Sequence, residues 1–282
     1  MIWNTYPLKT RPSRYFARTS VLALAALASG SAVALRLGAQ DAPAVPAHLV
    51  QAQHLVENLQ TADLNVYGGG KRHIDWEAGH ASARSVCSSF TTLLLQHTYG
   101  WTSSDFKDWL KSSNPEAFDY HDAIVARNRF LRIVHVTAIK PGDILAVKYT
   151  DHHVSSNGVE DTGHVMVTAE PPQELEAKEP RVKGTRQYLV AVIDSSASGH
   201  GTSDTRHRPG GKFTGGVGRG MFRLYSDSDG KIAGYAWSDS AKSQFFSAPD
   251  RDLVVGRLKL SDKDKAATPS SASARGDKDP ER

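Results

Sequence analysis

The chain of 282 residues holds a single cysteine, Cys87, and therefore a single soft nucleophile. A thiol nucleophile needs a base within hydrogen-bond reach and a polar group to orient that base. Twelve histidines are present, so position must select among them. His164 follows Gly163 at the head of the apolar run Val165-Met166-Val167, where strand alternation fixes the direction of a side chain on a rigid base. Asp194 ends a second apolar run, Tyr188 to Ile193. An antiparallel neighbour there brings a carboxylate beside the imidazole, holding its tautomer and stabilising the imidazolium.

The elements that must position these groups are legible in the hydrophobic spacing. Leu49, Val50, Leu55, Val56 and Leu59 predict a helix, and Tyr67-Gly68-Gly69-Gly70 a turn. Phe90, Leu93, Leu94 and His97 recur at helical spacing up to Gly100, which puts Cys87 in or just before the first turn of a helix, where the dipole and unpaired N–H groups favour a thiolate. Helices are also predicted over Ser104 to Ser112 and Pro115 to Asn128, the second with Asn114 as N-cap and Pro115 at its first position. Beyond Arg129 the pattern becomes short strands: Phe130 to Val136, Asp143 to Tyr149, His164 to Ala169, Gln187 to Asp194, Met221 to Tyr225, Lys231 to Trp237 and Leu253 to Leu260. Helices followed by strands predict an α+β domain, N-terminal helices packed on an antiparallel β-sheet.

This order of residues resembles the NlpC/P60 superfamily of papain-like cysteine peptidases and amidases and the related CHAP amidases. The resemblance rests on Tyr67-Gly68-Gly69-Gly70, on Val86-Cys87-Ser88-Ser89-Phe90, and on Lys140-Pro141-Gly142-Asp143-Ile144-Leu145 followed by Gly163-His164-Val165-Met166-Val167. It spans about residues 64–195 and implies a papain-like fold with Cys87 as nucleophile, His164 as general base, and Asp194 as third polar residue. It also implies substrate-site roles for Tyr67, Ser88 and Ser195, the last being the alternative third position. The family's aspartate before the cysteine is Val86 here, and the glycine after Cys-Ser is Ser89. The activity implied is hydrolysis of an amide bond in cell-wall (peptidoglycan) peptide, with no cofactor.

Two readings from other classes stand beside this one: a non-catalytic envelope-binding module on the same fold, and a zinc-dependent hydrolase. Asp151-His152-His153 and the set His200, Asp204, His207 contain suitable ligands. Neither has the helix spacing of a zinc-binding pair, so both are expected to be solvated loop histidines and no metal is expected. The stretch Ser195 to Gly220 is expected to border the cleft as a long loop. Gly216-Val217-Gly218-Arg219-Gly220 lacks the spacing of a phosphate-binding loop. Asp227-Ser228-Asp229-Gly230 reads as a hairpin turn, and Tyr235 and Trp237 share a strand face, for core packing first and substrate contact second.

A net charge of +4 invites a nucleic-acid partner, but its distribution argues otherwise. Of 34 basic side chains, five (Lys9, Arg11, Arg14, Arg18, Arg36) fall in residues 1–39, which hold no acidic group. The remaining 29 face 30 acidic groups, a net charge of −1. A basic stretch, the apolar Val21 to Ala28 and the small residues Ser31 to Ala34 read as a secretory signal or an N-terminal membrane anchor, hence an exported protein. The expected organisation is residues 1–39 as that signal, 40–48 as a linker, 49–260 as the hydrolase domain, and 261–282 as a disordered tail with five basic and five acidic residues and no large apolar one.

Overall fold

The computed structural model describes residues 45–59, 61–150, 154, 161–207 and 212–267, all within one compact unit, Pro43–Arg282. The expected signal or anchor over residues 1–39 and the pair His152-His153 lie outside the described residues. The elements run α1 (Ala47–Asn58), β1 (Asn65–Tyr67), β2 (His73–Asp75), β3 (Ser82–Ser85), α2 (Cys87–Tyr99), α3 (Ser103–Leu110), α4 (Ala117–Val125), β4 (Phe130–Ile133), β5 (Ile144–Tyr149) and β6 (Gly163–Thr168). They continue with β7 (Gln173–Leu175), β8 (Arg186–Ser196), β9 (Gly216–Ser226), β10 (Ile232–Ala236), β11 (Phe245–Phe246), β12 (Arg251–Leu258) and α5 (Asp262–Ala267).

The expected class is present in its coarse form, helices first and then a large antiparallel sheet. That sheet has nine strands in the order β11-β10-β9-β8-β6-β5-β12-β4, with β7 added on β8. It curls: Ile232 N–H donates to Val134 O at 2.9 Å and Val136 N–H to Gly230 O at 3.1 Å, so the β9–β10 turn reaches the segment after β4. Both faces are covered, which is why β5 and β6 read as continuous apolar runs. Ile144, Ala146 and Val165 pack beneath α2, α3 and α4 with Tyr99, Trp101, Phe106 and Trp109. Leu145, Val147 and Met166 point the other way, into a cluster with Val190, Val192, Phe222, Leu224 and Tyr235.

Several expectations are corrected. The N-cap of α4 is Glu116, not Asn114, because the Asp119 carboxylate accepts from Glu116 N–H at 2.8 Å and closes the first turn there. Helix α2 is buried nearly all round, whereas His97 is exposed and stacks on Trp76 with ring centroids 4.4 Å apart. Three short strands, β1, β2 and β3, form a second sheet of order β1-β3-β2 that the sequence pattern did not announce. Segments of three or four residues are too short to display a period. Finally, the start of the supposed tail is helix α5, where buried Asp264 accepts from Trp101 Nε1 at 2.7 Å and from Ser261 N–H at 2.8 Å. One anchoring carboxylate outweighs a composition typical of disorder. Residues 268–282 lie outside the described residues.

Candidate active site

Cys87 is the first residue of α2. Val86 before it is extended, and Ser89 Oγ accepts from Val86 N–H at 2.9 Å while donating to Val86 O at 3.1 Å, so a serine hydroxyl shapes the turn that presents the thiol. Thr91 Oγ1 donates to Cys87 O at 3.1 Å and Thr92 Oγ1 to Ser88 O at 2.9 Å, which secures the first turn from its own side chains. Below it, Phe90 and Leu94 pack on Val167 and Ile193 of β6 and β8, tying the helix to the two strands that carry the other candidates.

His164 stands second in β6, after Gly163. That glycine has φ +142°, and a Cβ on it would lie 2.0 Å from Val147 O, so no side chain fits. His164 Nε2 meets Asp194 Oδ2 at 2.5 Å, leaving Nδ1 as the ring nitrogen open to a thiol. Burial disfavours the imidazolium, but the Cys87 charge and the hydrogen bonds with Asp194 and Cys87 outweigh it, and the pKa of His164 is raised from 6.5 to about 10. Trp237 covers this pair edge-on, its ring centroid 4.7 Å from that of His164. The sequence-selected Cys87, His164 and Asp194 are thus brought together.

Asp194 is fully buried. Its Oδ2 is shared, since His200 Nε2 lies 2.9 Å away, and its Oδ1 makes a 3.0 Å charge contact with Arg206 Nη1 outside hydrogen-bond geometry. Burial opposes ionisation, but the Arg206 and His200 charges and the two imidazole hydrogen bonds hold this carboxyl well below the usual range. Arg206 is itself clamped by Asp204, Nε to Oδ1 at 2.8 Å and Nη2 to Oδ2 at 2.7 Å, a bidentate pair. Asp204 Oδ2 also accepts from His200 N–H at 2.8 Å, and His200 Nδ1 lies 2.7 Å from Trp237 O.

His200 and Asp204 are therefore not solvated loop residues, as their Gly/Ser-rich surroundings suggested. They are buried, and only His207 of that set is exposed. The sequence signal for this burial lies in the glycines of β9. Gly218 stands opposite Asp194 and Gly220 opposite Val192, on one strand face. A Cβ at Gly218 would lie 2.6 Å from Arg206 Cγ, and one at Gly220 2.5 Å from Asp204 Oδ2 and 2.7 Å from His200 Cβ. The alternating glycines form a strand face without side chains, on which the loop lays its charged groups.

Of the remaining site candidates, Tyr67 is half-buried at the end of β1, with its phenol pKa raised by burial first and then by the Cys87, Asp161 and Asp194 charges. Ser88 is buried in the first turn of α2. Ser195 cannot serve as the third polar residue, because its hydroxyl, fully buried, donates to Ser85 O at 3.0 Å and ties β8 to β3.

His164, Asp194 and His200 place three donor atoms within 4.8 Å of one another, the spacing of a metal site. The surroundings do not fit a metal ion. Both rings already converge on Asp194 Oδ2, and a permanently charged guanidinium fixed by Asp204 touches the same carboxylate, where a dication would be repelled. Among the described residues no helix is long and apolar enough to cross a membrane.

No family model and no solved structure matches the chain. It is 36% identical over 179 residues to an uncharacterized protein of Acanthamoeba polyphaga mimivirus, an alignment covering 62% of this chain and 77% of the viral protein. At that identity and coverage, the chain belongs to the same family as the viral protein.

Proposed function

We propose that this protein is an exported papain-like thiol hydrolase of the NlpC/P60 type that cleaves an amide bond, with cell-wall peptide as its substrate class. The observation that carries the reading is the convergence of three elements: Cys87 at the head of α2, His164 at the head of β6, and Asp194 near the end of β8, bonded to the imidazole at 2.5 Å. The substrate class and export rest on the sequence motifs and on residues 1–39.

In the first half-reaction His164 takes the Cys87 thiol proton, the thiolate Sγ attacks the amide carbon, and the carbonyl electron pair moves onto oxygen. First-turn N–H groups of α2, which have no helical acceptor, stabilise that oxyanion. His164 then delivers its proton to the leaving amine as the C–N bond breaks, giving an acyl thioester. In the second half-reaction His164 removes a proton from water, the hydroxide oxygen adds to the thioester carbon, and the C–S bond breaks to release the carboxylic acid and the thiol. Asp194 holds the ring so that Nδ1 faces sulfur throughout and stabilises the imidazolium.

The test is digestion of purified peptidoglycan by the protein and by Cys87→Ala, with fragments read by mass spectrometry. New amine and carboxyl termini released by the parent alone support the reading, whereas identical fragment patterns overturn it for this substrate class.

A further inference from the structure

The loop between β8 and β9, residues 197–215, contains charged groups that a cysteine–histidine pair does not require. His200 is fully buried, as is Asp194, and Arg206 is 1% exposed. Charges are costly to bury unless they are paired and hydrogen-bonded, and side chains this deep are held by several contacts. The contacts here converge on one carboxylate. His200 spans from Trp237 O at 2.7 Å to Asp194 Oδ2 at 2.9 Å, and a ring carrying hydrogen on both nitrogens donates to both. Its own N–H is fixed by Asp204, which also clamps Arg206 against the second oxygen of Asp194. Trp237 thus has two roles: its carbonyl anchors His200, and its ring lies 4.7 Å from His164 and 4.5 Å from His200.

We propose that His200 is a positioning residue: with the Asp204–Arg206 pair it fixes the Asp194 carboxylate so that Oδ2 is aimed at His164 Nε2. A carboxylate at the end of a strand can rotate about its terminal torsion. Pinned by a second imidazole and a guanidinium, Asp194 keeps one orientation, and the His164 ring inherits it. The groups facing His164 are Cys87 from α2, Asp194 from β8 and Trp237 just after β10, with His200, Asp204 and Arg206 behind Asp194.

This inference deepens the hydrolase reading, and its test has a readout independent of hydrolysis. In the full chain, the imidazole N–H of His164 bonded to Asp194 should give a low-field proton resonance, assigned by its loss in His164→Ala. The resonance should weaken or move upfield in His200→Gln, whose single amide nitrogen cannot reach Asp194 Oδ2 and Trp237 O from two separate positions as the ring does. It should do so further in His200→Phe, which keeps a ring of similar size without donors. Folding of each variant is checked by thermal melting. If His200→Phe does not fold, His200→Gln decides. In the hydrolysis assay the same variants should lower kcat by about 10-fold or more with KM changed less than about twofold. A His164 resonance unchanged in the folded variants overturns the proposal. A resonance that depends on His200 in a protein without Cys87-dependent hydrolysis overturns the hydrolase reading and leaves the positioning role intact.

Discussion

The two halves of the candidate site are built by opposite means. On the helix side, Cys87 is held by apolar burial: Phe90 and Leu94 seat α2 on β6 and β8, and the hydroxyls of Ser89, Thr91 and Thr92 secure its first turn. On the loop side, Asp194 is held almost entirely by buried charge, through His200, Arg206 and Asp204. The difference teaches how each side tolerates change. A packed helix loses stability in proportion to the volume removed and relaxes partly into the gap. A buried charge network fails abruptly when one member goes, since its partners are left ionised without water.

The largest effect is expected on activity. Cys87→Ala removes the nucleophile and should cost about 10⁴-fold or more in kcat/KM on any amide substrate. His164→Ala should cost about 10²-fold or more through lost acid–base transfer. Near-parental turnover in either variant breaks the functional half of the comparison.

On stability, the loop side should be the more fragile. Arg206→Ala leaves Asp194 and Asp204 buried without their shared cation and should cost about 3–5 kcal/mol in denaturant unfolding. Leu94→Ala on the helix side should cost about 2–5 kcal/mol, according to how far the cavity collapses. Gly218→Ala places a methyl 2.6 Å from Arg206 Cγ and should cost about 1–3 kcal/mol through overpacking. If Arg206→Ala and Gly218→Ala both melt like the parent, the loop is not the brace described.

A further effect is in the pH dependence of stability. Because the pKa of His164 is raised from 6.5 to about 10 in the fold, its contribution is complete below about pH 6.5 and is lost as the pH rises through about 10. Melting temperature should therefore fall over that window. Cys87→Ala deletes the thiolate charge, the foremost cause of the rise, and should show a smaller loss. Asp194, shifted the other way, contributes stability above its unfolded pKa near 3.8 that is lost as the pH falls toward its lower folded pKa.

How much of this was legible in the sequence follows from the same contrast. The helix carrying Cys87, strands β5 and β6, and the long apolar half of β8 announce themselves because their contacts are hydrophobic and periodic. Cys87, His164 and Asp194 could be picked out by their places at the ends of those periods. His200, Asp204 and Arg206 could not, because Gly, Ser and Thr around them signal a solvated loop, and no period records that a loop folds inward. The one signal was the alternation of Gly216, Gly218 and Gly220, which marks a strand face without side chains rather than a phosphate loop. Asp264 was hidden in the same way, a single carboxylate anchoring a segment of otherwise polar composition to Trp101.

The central claim is that Cys87 and His164 act as one chemical unit, and the sole cysteine makes it directly measurable. The measurement is the rate of iodoacetamide alkylation at about pH 5.5 in the parent and in His164→Ala, against a small free thiol. The expected result is that the parent reacts faster than the free thiol and that His164→Ala loses the advantage. A parent thiol slower than the free one, with the same rate in His164→Ala, would contradict the claim and make Cys87 a packing residue.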